Sequence, residues 1–198
     1  MYATIIDPEA GARRAVRCRY NAPMLHALKL HAASVCESVT SVEAFVTRQA
    51  ARLCVRYVVH GAIADLRIPD PASGGRADEL WQHTCCEAFI CEEDGAYYEF
   101  NWSPTTQWAA YRFAGYRAGM VNAEVGAPVI TQSRAAGHFE LQATIDCEPL
   151  ALAGLRWRVG VTAVIEEMNG RKSYWALAHP AAQPDFHHPD GFVIELEA

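Results

Sequence analysis

From Leu25 onward the chain is written mostly in a two-residue period. Ser41–Arg48 places Val42, Ala44 and Val46 on one side. Ala51–His60 opposes Leu53, Val55, Tyr57 and Val59 to Arg52, Cys54, Arg56 and Val58. His138–Asp146 sets Phe139, Leu141, Ala143 and Ile145 against Glu140, Gln142, Thr144 and Asp146. Strict alternation over such lengths predicts strands with one buried face. Further strands are expected over Leu25–Ser34, Ile63–Ile68, Thr84–Glu92, Ala96–Ser103, Gln107–Phe113, Val129–Arg134, Leu155–Glu166, Arg171–Ala178 and Phe192–Glu197. Turn signals separate them: Ala135-Ala136-Gly137, Met168-Asn169-Gly170, and the Pro- and Gly-rich loop Pro69–Arg76. Glu148–Gly154, with Pro149 near its start, predicts one short helical turn. About a dozen short strands with little helix predict an all-β, antiparallel, jelly-roll-like β-sandwich, because a parallel sheet would require long crossover helices.

The densest chemistry lies in one predicted hairpin. Thr84–Glu92 and Ala96–Ser103 flank Glu93-Asp94-Gly95, and Gly95 suits the left-handed residue that completes a three-residue loop. Glu92 then pairs with Ala96, Phe89 with Glu99, Glu87 with Asn101 and Cys85 with Ser103. The alternate residues pair as Ile90 with Tyr98, Ala88 with Phe100, and Cys86 with Trp102. A loop one residue shorter or longer would mix these sets. The second set is apolar and predicts core. The first puts Glu87, Glu99 and Asn101 on one face with Phe89 and Tyr97, and Trp81 and Trp108 stand close by in sequence. Carboxylates and amides bond hydroxyl groups, while flat rings stack on the C–H faces of sugars. Two carboxylates on adjacent strands equally suit a solvated sheet face, or acid–base work on a glycosidic bond.

The runs WQHTCCEAFI, YYEFNWSP, QWAAYRF and SYWALAHP…PDFHHPDGF, spread over most of the chain, resemble the DOMON-like proteins. That superfamily includes the family-nine carbohydrate-binding modules and haem- or sugar-binding sandwich domains. The resemblance implies a sandwich fold and a small-ligand site, with carbohydrate as the expected ligand and no chemistry. A haem-binding or a protein-interaction sandwich is the alternative reading. Glu87, Glu99 and Asn101 would supply hydrogen bonds, and Tyr97, Trp108, Trp81 and Trp175 would supply rings. Arg112 is an anion contact if the ligand is acidic, or else a partner in a surface or hairpin ion pair. Trp102 and Trp157 are assigned to core from their alternation.

The remaining features narrow the field. With 198 residues and a formal charge of −6, one domain is expected, and neither nucleic acid nor an anionic membrane is an expected partner. Residues 1–23 read as an irregular lead-in, and Met1–Cys18 has no apolar core of a targeting signal. Seven cysteines, an odd number, fit reduced thiols and a cytoplasmic setting. Cys85, Cys86 and Cys91 cannot all converge, because neighbours on a strand point to opposite faces. Trp175, His179, Asp185, His187 and His188 crowd a Pro-rich stretch whose spacing fits no metal motif, so a rigid loop laid across the sandwich is expected there. No cofactor is expected, and no nucleophile elbow or phosphate loop occurs. A hydrolytic or metal-assisted enzyme would have to use Glu87 and Glu99, or the His187-His188 loop. Oligomeric state is not legible.

Overall fold

The alternating segments form one sheet that folds over on itself. A computed structural model describes residues 24–198, so the lead-in expected over residues 1–23 lies outside the described residues. Thirteen strands run in chain order: β1 (Met24–Leu30), β2 (Val39–Gln49), β3 (Arg52–Gly61), β4 (Gly75–Arg76), β5 (Cys85–Cys91), β6 (Tyr97–Trp102), β7 (Gln107–Phe113), β8 (Val121–Asn122), β9 (Val129–Ala135), β10 (His138–Asp146), β11 (Trp157–Glu166), β12 (Lys172–Ala176) and β13 (Ile194–Leu196). Among the described residues, the only helical pieces are four single turns of 3-10 helix.

Strands β9-β10-β3-β2-β1 make the first layer and β4-β7-β6-β5-β11-β12 the second. β1 belongs to both, pairing with β2 through Leu28 and with β12 at Lys29 and Leu30. β13 and β8 extend the second layer alongside β11 and β7. Between the layers lies the main core. It takes Val42, Leu53, Val55, Tyr57 and Phe139 from one side and Ile90, Phe100, Trp102, Val161 and Ile165 from the other. Trp102 and Trp157 are buried, as their alternation predicts.

Two expectations need correction. The sheet is not wholly antiparallel, because β4 pairs in parallel with β7 at Gly75↔Gln107 and Arg76↔Trp108. The side chain of Arg76 holds that edge, donating to the carbonyls of Ala110 and Ala123 at 2.9 and 2.8 Å with its guanidinium 4.5 Å from the Trp108 ring centre. Ile63–Ile68 is likewise not a strand. Ile63–Asp65 closes a 3-10 turn, and Leu66 makes only an isolated bridge to Glu167. Ile63, Leu66 and Ile68 are buried there without alternation, filling the end of the core.

The two layers differ in what covers their outer faces. β10 alternates buried with exposed or half-buried residues along its whole length, so the first layer has a wet face. In β5 and β6 every residue is buried, and in β11 all but Arg158. Something therefore lies over the outside of the second layer. It is the predicted Pro-rich tail, together with the segments preceding β5 and β8, and the site is built between them and the sheet.

Candidate ligand site

The β5–β6 hairpin has the register that a three-residue loop dictates, with Glu87↔Asn101, Phe89↔Glu99, Ala88↔Phe100 and Cys86↔Trp102 paired. Gly95 closes the loop at φ +89°, its N–H donating to Glu92 O at 3.2 Å. Cys85 pairs with Val164 on β11, and a Cys85–Ser103 pair is not formed. The remaining rows of the outer face follow from pairing. Tyr111 on β7 sits opposite Glu99, Thr162 on β11 opposite Glu87, and Tyr174 on β12 opposite Val164.

Glu87 and Glu99 are thus diagonal neighbours at the centre of this face, 3% and 6% exposed. They are not solvated surface acids. They form the floor of a cleft of about 1230 Å³ whose lip carries Trp81, 51% exposed, and whose walls include Tyr111, Tyr174 and Phe186. Each carboxylate is partly engaged. Thr162 Oγ1 donates to Glu87 Oε2 at 3.1 Å, and Asn101 Nδ2 donates to Glu99 Oε1 at 2.6 Å. Among the described residues, no donor lies within hydrogen-bonding distance of Glu87 Oε1 or Glu99 Oε2.

Desolvation and mutual repulsion separate the two acids. Burial, reinforced by the Glu99 charge, pushes Glu87 up to about 8. Burial also raises Glu99, but the Asn101 bond and the Arg117 charge oppose it. The proton that the pair keeps above the ordinary carboxylate range therefore resides mainly on Glu87.

The tail sets the rest of the site. Phe192 lies over Gly160 and stacks on Phe89 with ring centres 5.4 Å apart. His187 is inserted among Phe89, Tyr97 and Phe113 at 5.6, 5.8 and 5.2 Å. Burial, aided by Arg117, holds His187 down to about 4, so it is neutral at physiological pH. Tyr97 Oη accepts from Arg117 N at 3.1 Å and lies 2.8 Å from His187 Nδ1. The other ring nitrogen of His187, Nε2, lies 3.8 Å from Glu99 Oε2. Arg117 is itself fixed by Asp185, 2.7 Å away. Burial pushes the Asp185 carboxyl up, but bonds from Tyr116 and Arg117 outweigh it and keep it ionised.

Of the residues predicted for the site, Glu87, Glu99 and Trp81 line the cleft. Asn101 is buried and gives its amide to Glu99, so it orients that carboxylate beneath the cleft floor. Tyr97 is on the expected face, but it is buried and spends its hydroxyl on His187, so it is no stacking platform. Trp108 is not in the site: it pairs with Trp102 and enters the main core. Trp175 fails for the same reason, pairing with the core residue Ala163 and donating its indole N–H to Ser173 Oγ at 2.9 Å. Arg112 points away from the cleft, opposite Tyr98, and bonds Glu92 at 3.3 Å as a hairpin ion pair. Sequence reasoning missed Tyr111, Tyr174, Arg117 and Thr162. Carrying the pairing arithmetic across the next turn would have found Tyr111, since Trp102↔Trp108 forces Glu99↔Tyr111. Among the described residues, no three His, Cys, Asp or Glu side chains converge on a metal position.

Two solved structures share this architecture. One is a Bacteroides uniformis ATCC 8492 protein whose proposed role is carbohydrate binding, 16% identical, with 87% of this chain and 85% of that one covered and a TM-score of 0.65. The other is a family-nine carbohydrate-binding module from Caldicellulosiruptor kristjanssonii in complex with cellotriose, 10% identical, covering 88% and 82% of the two chains at a TM-score of 0.53. The chain has the fold of a family-nine carbohydrate-binding module. Neither a protein-family model nor a curated relative matches its sequence significantly. At such identity the likeness fixes the fold, and the ligand has to be argued from the cleft.

Proposed function

We propose that this protein is a non-catalytic carbohydrate-binding domain, whose cleft over β5, β6 and β11 takes a saccharide or sugar-like metabolite. One observation carries the reading: a half-exposed indole, Trp81, stands over a cleft floored by two carboxylates that retain free acceptor oxygens. The ring suits the C–H face of a pyranose, and the carboxyl groups suit its hydroxyls. The cellotriose held by the neighbouring module supports the class of ligand. In this reading the saccharide is soluble and met in the cytoplasm, with no part for nucleic acid or membrane.

Calorimetric titration with mono- and oligosaccharides tests it, comparing the native protein with Trp81→Ala. Loss of one stacking ring of ~1–1.5 kcal/mol weakens binding about tenfold. Unfolding of the variant is expected to be unchanged, because the ring is half exposed. The reading fails if no saccharide binds the native protein at millimolar concentration, or if Trp81→Ala binds equally well.

A second reading has one observation behind it. A Glu87 carboxyl pushed up to about 8, beside a Glu99 whose rise Asn101 and Arg117 oppose, leans towards the division of labour that acid-assisted glycoside cleavage requires. Turnover of aryl glycosides, abolished in Glu87→Gln, would favour it over simple binding.

A further inference from the structure

The cleft has an imbalance of charge that a neutral sugar would leave in place. Its lining carries four carboxyl groups, Asp78, Glu79, Glu87 and Glu99, and one cation, Arg117. That cation is already committed to Asp185. His187, the other basic group in the lining, is neutral, with its Nε2 3.8 Å from Glu99 Oε2. Glu99 is thus a carboxyl more than nine-tenths buried, with one oxygen open to the cleft and, among the described residues, no lysine or arginine within ion-pair distance. Uncompensated buried charge is costly, and a bound cation would relieve it.

The surrounding chemistry narrows what that cation is. A hard metal ion takes six or more oxygen ligands, and among the described residues no three His, Cys, Asp or Glu side chains converge on a metal position. An ammonium group needs three acceptors and is stabilised by aromatic faces. Glu99 Oε2 is an open acceptor on the floor, and Tyr111, Tyr174 and Phe186 supply rings in the lining. Asp78 accepts the Tyr111 hydroxyl at 2.6 Å, which holds that ring in the wall. From this we infer that the ligand is a saccharide bearing a free, protonated amine, with the ammonium on Glu99 and the sugar ring against Trp81. The inference rests on the saccharide reading above and adds the charge of the ligand to it.

The full chain would be titrated at pH 7 with four probes: the β-1,4-linked glucosamine dimer, its N-acetylated counterpart, cellobiose and cyclohexylamine. The inference expects the glucosamine dimer to bind at least tenfold more tightly than both neutral disaccharides. It also expects Glu99→Gln to reduce that preference below threefold. Because Gln keeps the side chain's size, circular dichroism and urea unfolding at the same pH establish that the variant is folded. Should Glu99→Gln not fold, Glu87→Gln, which keeps the charge on Glu99 and is expected to retain the tenfold preference, takes its place, and loss of the preference in it counts against the inference. Equal binding of cellobiose and the glucosamine dimer overturns the inference and leaves the saccharide reading intact. If cyclohexylamine binds as tightly as the glucosamine dimer, the sugar ring contributes nothing and both readings fall. Both also fall if none of the four binds.

Discussion

Glu87→Gln provides the sharpest test of the cleft floor, because it changes a charge without changing a shape. Glu87 is displaced from an ordinary 4.5 to about 8 in the folded protein. A carboxyl whose folded value is raised binds its proton more tightly when folded. Its contribution is therefore fully favourable below the unfolded value, and stability is lost as pH climbs towards the folded value. Working the linkage through, the loss is about 1 kcal/mol at pH 5 and about 5 kcal/mol at pH 9. The difference of about 4 kcal/mol is a ceiling, since water in the cleft screens the pair. Against a typical domain stability of about 5–15 kcal/mol, even half of it is easily measured.

Glutamine mimics the protonated acid and can still accept from Thr162 Oγ1, which donates to Glu87 Oε2 at 3.1 Å. The two proteins should then unfold alike at pH 5, within about 1 kcal/mol. At pH 9 the variant should be the more stable by about 2–4 kcal/mol. Urea unfolding followed by tryptophan fluorescence at pH 5, 7 and 9 reads this out, provided the denaturant slopes agree. All other titrating groups are common to both proteins, so the pH dependence of the difference belongs to Glu87 and its partner. Curves that stay parallel from pH 5 to 9, or a variant less stable at pH 9, would refute the claim that Glu87 is a buried acid paired with Glu99.

Three further outcomes follow from the same geometry. Trp108→Ala should cost about 3–5 kcal/mol in urea unfolding, because the ring lies in the main core against Trp102; a ligand-stacking Trp108 would instead weaken binding at unchanged stability. Gly160→Ala places a methyl carbon 2.6 Å from Phe192 Cδ1, a ring that is buried and stacked on Phe89, so about 1–3 kcal/mol of destabilisation is expected together with faster amide hydrogen exchange over residues 186–192. Arg112→Ala removes a pair that is partly exposed on both sides and should shift stability by less than about 1 kcal/mol, with ligand titrations unchanged.

The fold was legible where one periodicity had one cause. β2, β3 and β10 alternate because one side faces the core and the other faces water, and their observed ends lie within two residues of the expected ones. The β5–β6 register was legible because only a three-residue loop separates its polar and apolar sets. Ile63–Ile68 misled because its apolar residues fill the end of the core from a turn, and composition alone cannot distinguish that from a strand. The parallel contact of β4 had no signal in a Pro- and Gly-rich loop, since two residues carry no period.

The site was legible only as far as strand parity reaches. Parity placed Glu87, Glu99, Asn101 and Tyr97 on one face, and applied across the next turn it would have removed Trp108 and supplied Tyr111. Parity cannot say whether a face is wet. β5, β6 and β11 are buried on both faces, as strands covered on both sides are, and Cys85 and Phe89 beside Glu87 were the sequence's sign of it. What does the covering is a tail about ninety residues on, where His187 and Phe192 sit among prolines without alternation. That tail is why the acids matter. On a bare sheet Glu87 and Glu99 would be hydrated and independent, but beneath His187, Phe192 and the cleft walls burial pushes both carboxyls up. The charge preference proposed for the ligand therefore depends on the tail as much as on the two acids, so a substitution that loosens the tail, such as Gly160→Ala, should weaken that preference without touching either carboxylate.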